Sequence, residues 1–267
     1  RHVRGTTKLG GAESRVMELY RVIDKNLIQF DFLVHTNAEG HYDREIRELG
    51  GNVYHAPRFR LINIFQYKKA LNNFFREHDG YCAIHGHMTS TASIYLPIAR
   101  KYNKESLLIA HARSAGTDKG LKGLATRLLR KSLPSKAEFC FGCSDLAGNA
   151  VYGTDNVKKG RVWTIPNAID VDRFAFKEDV RDEVRRELGL SDDFVIGHVG
   201  RFGDMKNHVF LVDIFNEILK KKSNARLVMI GEGSTKEEVS NSLKALSIDD
   251  KALFLGNRYD VERYYQA

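Results

Sequence analysis

The stretch that decides the fold runs from Phe194 to Asn207 and reads FVIGHVGRFGDMKN. Its apolar start predicts a strand, and its glycines predict a tight turn before a segment with apolar residues at helical spacing. The turn carries Arg201 and, five residues later, Lys206. Backbone N–H groups at a helix start attract anions, and an arginine side chain can bind two phosphate oxygens at once. The stretch therefore predicts a strand–turn–helix unit that binds a diphosphate.

The rest of the chain repeats this alternation of strand and helix. Between the strands, apolar residues recur at helical spacing, for example over 64–75 and 209–219. This alternation indicates parallel sheets covered on both faces, so the predicted fold class is α/β with doubly wound, Rossmann-like domains. Thr235 and Glu238 predict a capping box at the start of a late helix. The predicted strands are Phe30–Thr36, Asn52–His55, Tyr81–His85, Ser106–His111, Glu138–Cys143, Arg161–Ile165, Phe194–Val199, Arg226–Ile230 and Ala252–Leu255.

Two domains are predicted, because Pro166 and Asn167 end one strand and the next strong strand begins a helix away, at Phe194. We place the N-terminal domain at 1–168 and the C-terminal domain at 169–267. In open parallel sheets, ligands bind at the carboxyl ends of the strands. We therefore expect the two sheets to face a cleft that holds both substrates.

The composition is that of a globular protein, with 42% hydrophobic and 28% charged residues among 267. No apolar run approaches the roughly 18 residues that span a bilayer, and the sequence from Arg1 does not resemble a signal peptide. Cys82, Cys140 and Cys143 lie in apolar runs. A CxxC pair can hold a metal or act in redox chemistry, but without a second pair we favour buried thiols in a reducing cytosol.

Positive charge is concentrated in the first domain. Residues 1–168 carry 26 Lys and Arg against 15 Asp and Glu, whereas 169–267 carry 16 against 19. This excess suits a nucleic acid, a membrane surface or an acidic substrate, or else it is a solvated basic face. Nucleic acid is disfavoured, because the basic residues lack interleaved aromatics and match no recognised binding motif.

The segment 119–136 is basic and free of acids between Asp118 and Glu138. Its helix can lie on an anionic membrane with the cations at lipid headgroups. The alternative is a helix that covers the sheet and turns a basic face to water. The apolar stripe comprises Leu121, Leu124, Ala125, Leu128 and Leu129, and the cations are Lys119, Lys122, Arg127, Arg130, Lys131 and Lys136.

The ordered glycine loops resemble those of the GT-B glycosyltransferases, in particular the retaining glycosyltransferase family 4. The likeness covers essentially the whole chain in the order of the family. It rests on a first glycine loop, an interdomain segment, a diphosphate clamp and two nucleotide loops, which are Leu9–Glu13, Pro166–Phe174, Gly200–Asn207, Ile230–Gly233 and Phe254–Gly256.

The resemblance implies transfer of a sugar from a nucleotide-sugar to an acceptor hydroxyl, with retention of configuration and without a metal or other cofactor. UDP is the commonest donor nucleotide in the family. The implied sugar is a hexose or an N-acetylhexosamine, and the implied acceptor is a saccharide or a lipid-linked sugar in bacterial polysaccharide or glycolipid assembly. A cytoplasmic location is expected, with peripheral attachment to the inner face of the membrane only in the case that the helix of 119–136 lies on lipid.

The resemblance also implies roles for single residues. Arg201 and Lys206 neutralise the departing diphosphate, and His111 contacts the transferred sugar near the reacting carbon. The alternative for His111 is a structural histidine, and the alternative for Gly10 and Gly11 is a plain strand-to-helix turn. The implied nucleotide-sugar-binding residues are Gly10, Gly11, Gly200, Arg201, Lys206, Glu232, Gly233, Gly256, Asn257 and Arg258.

Two pairs have the composition of metal ligands, but neither predicts a metal site. His85-x-His87 lacks a third ligand nearby in the sequence. Asp170-x-Asp172 lies in a Pro-Asn linker beside Arg173.

The chain departs from the family pattern at both ends. The family's Glu-x7-Glu pair, which contacts the donor sugar and ribose, does not occur before Ala267, and only His2-Val3 of the first strand is expected. We therefore expect a fragment with an incomplete second domain and donor site, and we assign the function to its parent. A sugar-nucleotide epimerase of the same fold and a non-catalytic basic binding protein remain as alternatives.

Overall fold

The structure is a computed structural model, and it describes residues 1–7, 10–116 and 120–267, without the side chain of Lys122. The described residues form two compact units, Arg1–Ile169 and Asp170–Ala267. Each unit has a parallel sheet with its own hydrophobic core. Below, unit 1 and unit 2 denote these two parts.

Seven parallel strands form the sheet of unit 1, in the order β3-β2-β1-β4-β5-β6-β7. Because they are parallel, their carboxyl ends share one edge of the sheet. The strands are β1 (His2–Arg4), β2 (Phe32–Val34), β3 (Val53–His55), β4 (Ala83–Gly86), β5 (Leu107–Ala112), β6 (Phe139–Gly142) and β7 (Val162–Thr164).

Helices cover both faces of this sheet, because successive strand residues point to opposite sides. Leu33 packs into the core formed largely by α3, α4 and α6, whereas its neighbour Phe32 packs into the core under α1 and α2. The helices are α1 (Gly11–Val22), α2 (Asp43–Glu48), α3 (Ile64–Glu77), α4 (Ala92–Tyr102), α5 (Gly120–Lys131), α6 (Asp145–Tyr152) and α7 (Thr154–Lys158).

Unit 2 contains a parallel sheet of three strands in the order β10-β9-β8. Phe202, Phe215 and Leu227 are fully buried in its core. The elements are α8 (Glu178–Glu187), β8 (Phe194–Val199), α9 (His208–Leu219), β9 (Ala225–Ile230), α10 (Lys236–Ala245), β10 (Ala252–Phe254) and α11 (Val261–Tyr264).

The predicted α/β class is confirmed, and each of the nine predicted strands is present with its ends within two residues of the expected positions. The capping box was predicted wrongly. α10 begins at Lys236, but Thr235 makes no side-chain cap and its hydroxyl is buried without a partner among the described residues. Its backbone (φ −98°, ψ 8°) lies outside the extended region from which a cap side chain reaches the helix N–H groups.

The cysteines differ in burial, so the expectation of three buried thiols was right for Cys140, wrong for Cys82 and only partly right for Cys143, which is half-buried. All three thiols are free, and Cys140 is buried on β6, which raises its pKa to about 11. Cys82 is exposed because it lies just before β4, at the amino edge of the sheet.

Candidate functional site

The loop after β8 is held in place by backbone hydrogen bonds to the neighbouring strand. Gly200 N–H donates to the Ile230 carbonyl at 2.9 Å, and Phe202 N–H donates to the Glu232 carbonyl at 3.1 Å. A short 3-10 turn, Asp204–Lys206, then leads to Asn207, whose φ is 47°, before α9 begins. The loop is therefore a fixed connection between strand and helix.

Arg201 and Lys206 are the exposed cations of this loop, and Phe202 between them is fully buried. In the described part of the chain, neither cation forms an ion pair with an acid. The stem of Lys206 passes close to Gly200, where an added Cβ would lie 3.4 Å from Lys206 Cε. Two cations beside the start of a 12-residue helix match the charge and shape of an anion with several oxygens.

The glycines of the β9 loop are required by close packing against the β8 loop. A Cβ on Gly233 would lie 1.9 Å from the Phe202 carbonyl oxygen, and a Cβ on Gly231 would lie 2.1 Å from that of Gly200. Gly231 also has a φ of 141°, which other residues rarely adopt. The resemblance predicts that Gly233 binds the nucleotide, but close packing against the β8 loop alone already explains why this position holds a glycine.

A third loop, after β10, lies beside the other two. Gly231 N–H donates to the Gly256 carbonyl at 2.8 Å, and a Cβ on Gly256 would lie 3.3 Å from Glu232 Oε1. The Glu232 carboxylate accepts from Lys236 Nζ at 2.8 Å. Asn257 and Arg258 are exposed, with the guanidinium of Arg258 over the Tyr264 ring. The three loops thus carry all of the nucleotide-sugar-binding residues that the resemblance assigns to unit 2.

In unit 1, the first glycine loop begins α1. Leu9, part of the predicted motif, lies outside the described residues. Gly10 is extended at φ −174°, and a Cβ there would meet only the flexible Glu13 carboxylate; a Cβ on Gly11 would meet nothing within 4 Å. Neither glycine is needed for backbone conformation. The turn leaves Gly11 open to close approach from outside.

Four histidines, in or directly after three strands, lie side by side on one face of the unit 1 sheet. His111 Nδ1 is 3.1 Å from His85 Nε2, and His87 Nε2 is 2.9 Å from His2 Nδ1. Arg113 Nε donates to His87 Nδ1 at 3.2 Å. In neutral His87 the proton therefore lies on Nε2, from which it is donated to His2. His111 is thus part of a hydrogen-bonded cluster that also includes His85.

Burial keeps these imidazoles neutral. It lowers the pKa of His111 to about 3, with Arg113 and then Arg4 as the further causes. It lowers the pKa of His85, His87 and His2 well below 6.5 as well. His111 Nε2 is buried and has no partner among the described residues. Contact between this atom and a substrate therefore requires neighbouring side chains to move.

Two arginines at the carboxyl edge were not predicted as site residues. Arg4 ends β1, is 2% exposed, and pairs with Glu13 at 3.2 Å. Arg113 follows β5, and its Nη1 donates to Asn167 Oδ1 at 3.3 Å. Burial, followed by the charge of Arg4, lowers the pKa of Arg113 to about 10, so it stays charged at neutral pH. The position of Arg113 directly after a strand was the signal that could have identified it.

The histidine cluster supplies a third potential metal ligand that is remote in the sequence. The ligand atoms of His2, His85 and His87 lie within 4.8 Å of one another. The lack of a third ligand nearby in the sequence therefore does not by itself exclude a metal at His85-x-His87. However, the charges of Arg4 and Arg113 oppose a dication here, and His87 Nδ1 already accepts from Arg113. We do not assign a metal site to it.

Asp170 and Asp172 are both exposed. The Asp170 carboxylate accepts from the Asp172 backbone N–H at 3.2 Å. The pair forms a local turn, which matches its position in the predicted linker.

The stability of unit 1 is expected to fall in mild acid. The unfolded chain binds protons at its histidines near pH 6.5, whereas the folded histidines do not until the pH is far lower. Their stabilisation is complete above about pH 6.5 and is lost as the pH falls toward 3, at up to roughly 1.4 kcal/mol per pH unit for each histidine. The slope of the unfolding free energy against pH is measured by urea unfolding at several pH values, followed by the fluorescence of Trp163, the single tryptophan.

The variant His111→Gln serves as the comparison, because it removes one titrating group from the cluster. It should reduce the slope of the unfolding free energy against pH by about the contribution of one histidine. An identical slope in the variant would show that His111 is not the neutral buried group described above.

Comparison with known proteins agrees with this architecture. Of the solved structures, HepE of Anabaena in complex with UDP and glucose superimposes with a TM-score of 0.78 at 16% identity, over 100% of this chain and 72% of that one. WaaG, a glycosyltransferase involved in lipopolysaccharide biosynthesis, gives a TM-score of 0.58 at 13% identity, over 99% of this chain and 72% of the WaaG chain. The fold is therefore the GT-B glycosyltransferase fold.

Sequence comparison gives the family. The family model for Glycosyltransferase Family 4 matches residues 9–173, and that for Glycosyl transferases group 1 matches residues 180–267. The putative glycosyltransferase EpsF of Bacillus subtilis is 30% identical over 96% of this chain and 67% of its own length. CapM of Staphylococcus aureus, a capsular polysaccharide biosynthesis glycosyltransferase, is 24% identical over 80% of this chain and 59% of its own length. The chain belongs to glycosyltransferase family 4, among the group 1 glycosyltransferases.

Proposed function

We propose that the protein transfers a hexose or N-acetylhexosamine from a UDP-sugar to an acceptor hydroxyl, with retention of configuration and without a metal ion. The observation that carries the proposal is the group of three loops at the carboxyl ends of β8, β9 and β10. There, Arg201 and Lys206 are exposed without an acidic partner among the described residues. A diphosphate would supply the negative charge that these side chains lack.

UDP is proposed because of the relatives. HepE, which shares the fold, was solved with UDP, with UDP and glucose, and with UDP-glucose. The names of CapM and WaaG refer to capsular polysaccharide and lipopolysaccharide synthesis. We therefore propose bacterial polysaccharide or glycolipid assembly, in the cytoplasm at the inner face of the membrane, as the setting.

In the proposed reaction, the bond between the anomeric carbon and the diphosphate oxygen breaks, and the acceptor oxygen bonds to the same carbon while its proton passes to the departing diphosphate. Negative charge builds on the diphosphate, and Arg201 and Lys206 are proposed to stabilise it. The neutral imidazole of His111 is proposed to contact the transferred sugar, since it tolerates the positive charge that develops on the sugar ring. Gly10, Gly11, Glu232 and the 256–258 loop are proposed to line the donor or acceptor sites.

Thermal unfolding with a series of nucleotides tests the proposal. UDP and UDP-sugars are expected to stabilise the protein by about 2.7 kcal/mol at 100 times their Kd, whereas GDP and ADP should have little effect at the same concentration. Incubation of the donor with and without acceptor saccharides then measures transfer. Conversion of the donor alone to an isomer would contradict the transferase proposal and indicate an epimerase.

A further inference from the structure

Two arginines of unit 1 share a single carboxylate. Arg4 pairs with Glu13 at 3.2 Å. Arg113 forms no ion pair with an acid in the described part of the chain, since its guanidinium donates to the uncharged groups of His87 and Asn167. Glu13 is also the one carboxylate among the groups that act on the pKa of either arginine. We call Arg4, Glu13, His87, His111 and Arg113 the arginine cluster.

The arginine cluster carries one positive charge that is not balanced within the described ranges. Burial lowers the pKa of Arg113 to about 10, so the side chain is still charged at neutral pH. Burial, and then nearby charges, lower the pKa of His87 and His111, so these rings are neutral. Two cations and one carboxylate therefore leave a net charge of one. Proteins pair their buried charges, so an anion is the class of ligand that fits here.

Polar atoms of the same cluster are buried without a hydrogen-bond partner among the described residues. Arg4 is 2% exposed, and its Nε and Nη1 are two of these atoms. His111 Nε2 is a third. Most buried polar groups in proteins are hydrogen-bonded, so each exception requires an explanation. Oxygen atoms of a bound ligand are the partners that guanidinium N–H groups take most readily.

Strand register places the cluster on one face of the sheet, at its carboxyl edge. His2 on β1 is aligned with His85 on β4, which is aligned with Ile109 on β5. Arg4, His87 and His111 each lie two residues beyond one of these positions, so their side chains are on the same face. Ligands of parallel sheets bind at the carboxyl ends of the strands. An anion bound by the cluster therefore lies beside His111.

The basic segment 119–136 is different, because it lies mostly at the surface. Arg130 and Lys136 donate to backbone carbonyls at 3.4 Å and 3.0 Å, and Lys119 and the side chain of Lys122 lie outside the described residues. Its helix α5, like every helix in the described ranges, lacks the length and hydropathy to cross a membrane. Exposed charges are screened by water and need no ligand. The side chains exposed on α5 are those of Arg127 and Lys131, and those of Leu121, Leu124 and Leu128 at 84%, 55% and 64%.

We propose that the arginine cluster binds an oxyanion on the acceptor saccharide, a carboxylate or a phosphate, so that the protein selects an acidic acceptor sugar over a neutral one. Arg113, which is half-buried, makes the direct contact, and Arg4 adds its charge. The donor diphosphate is assigned to Arg201 and Lys206 of unit 2, so an anion bound by unit 1 is a second group, and the acceptor is the remaining substrate. This acceptor specificity rests on the proposed function.

Ligand-observed NMR titration of the whole chain at pH 7 and low salt tests the proposal without donor. Glucuronate and glucuronamide are matched probes, because an amide replaces the carboxylate with a neutral group of the same size. Glucuronate is expected to bind about tenfold or more tightly than glucuronamide. Glucose 6-phosphate against glucose is the corresponding phosphate pair, and the pair with the larger ratio identifies which oxyanion the acceptor carries.

Substitutions within the cluster should act in opposite directions. Arg113→Gln should weaken binding of the acidic probe by about tenfold or more, whereas Arg113→Lys should retain part of the affinity, because it keeps the charge but loses the planar fork. Glu13→Gln should strengthen binding by about threefold or more, since it removes the carboxylate that competes with the anion. Circular dichroism checks that each variant is folded. Arg161→Gln is the control, because Arg161 is exposed before β7, at the amino edge of the sheet, and binding should be unchanged.

Three results would overturn the proposal: no preference for either acidic probe, equal binding by the Arg113→Gln and Arg161→Gln variants, or binding of inorganic phosphate as tight as that of glucose 6-phosphate. Displacement of the acidic sugar by UDP, with loss of UDP binding in Arg113→Gln, would assign the cluster to the donor and also overturn it. Thermal unfolding with UDP tests the proposed function separately. Absence of a UDP effect contradicts the transferase, whereas a UDP effect without a preference for acidic sugars contradicts only the acceptor specificity.

Discussion

Replacing Arg201 with alanine is expected to abolish the stabilisation by UDP and to lower the turnover of a UDP-sugar by roughly 10²–10³. The side chain is exposed on a loop fixed by backbone hydrogen bonds, so its loss should remove charge without moving the loop. In the proposed reaction this charge faces a diphosphate whose negative charge grows as the bond to the sugar breaks. Thermal unfolding with UDP and single-turnover rates with the donor measure the two effects.

Arg186→Ala is the matched control, because Arg186 is an exposed arginine on α8 in the same unit. It should leave both the stabilisation by UDP and the single-turnover rate with the donor unchanged. Lys206→Ala should behave like Arg201→Ala, because the two cations are proposed to bind one diphosphate. An Arg201→Ala protein with a full UDP shift would contradict the assignment of the β8 loop.

Replacing Gly231 with alanine is expected to destabilise unit 2 by about 3 kcal/mol. The added Cβ would lie 2.1 Å from the Gly200 carbonyl oxygen, a backbone atom that cannot move without shifting the β8 loop. Overpacking typically costs about 1–3 kcal/mol, and an unfavourable φ adds a cost of similar size. Because Trp163 lies in unit 1, urea unfolding should be followed by far-UV circular dichroism and by hydrogen exchange in β8 and β9.

Gly203→Ala provides the control in the same loop system. A Cβ at Gly203 would meet nothing within 4 Å, and its φ of −172° is open to any residue. Its stability should remain within about 0.5 kcal/mol of the unmodified protein. Equal effects of the two substitutions would mean that the β8 and β9 loops are not packed as described.

The sequence was sufficient to predict the fold, because the two patterns that indicate it, apolar runs and apolar residues at helical spacing, are local. Apolar runs flanked by helical spacing identified nine strands, and parallel topology follows from their alternation with helices. The Thr235 cap failed because residue types alone do not reveal a backbone angle. Cys82 was misjudged because an apolar neighbourhood in the sequence does not show where a strand starts.

The candidate site was predictable only in part, because strand pairing in the sheet makes neighbours of residues that are far apart in the sequence. The β8 loop was visible from its glycines and cations, and the resemblance supplied its partners in the other loops. The contact between His2 and His87 joins residues 85 positions apart, and no spacing rule connects them. The exposure of the leucines on α5 was also beyond the sequence, since an amphipathic pattern does not say which side faces the protein.

The short contact between His85 and His111 has a chemical consequence. Either ring can be the donor in this hydrogen bond. When His85 donates, the proton of neutral His111 lies on Nε2, which is then a donor. When His111 donates from Nδ1, its Nε2 carries no proton and is an acceptor. Both forms are neutral. They interconvert when the proton between the rings moves to His111 Nδ1, His111 Nε2 releases its proton to a group outside the pair, and His85 Nδ1 takes one up. A single uncharged imidazole can thus satisfy either a hydroxyl hydrogen or a hydroxyl oxygen.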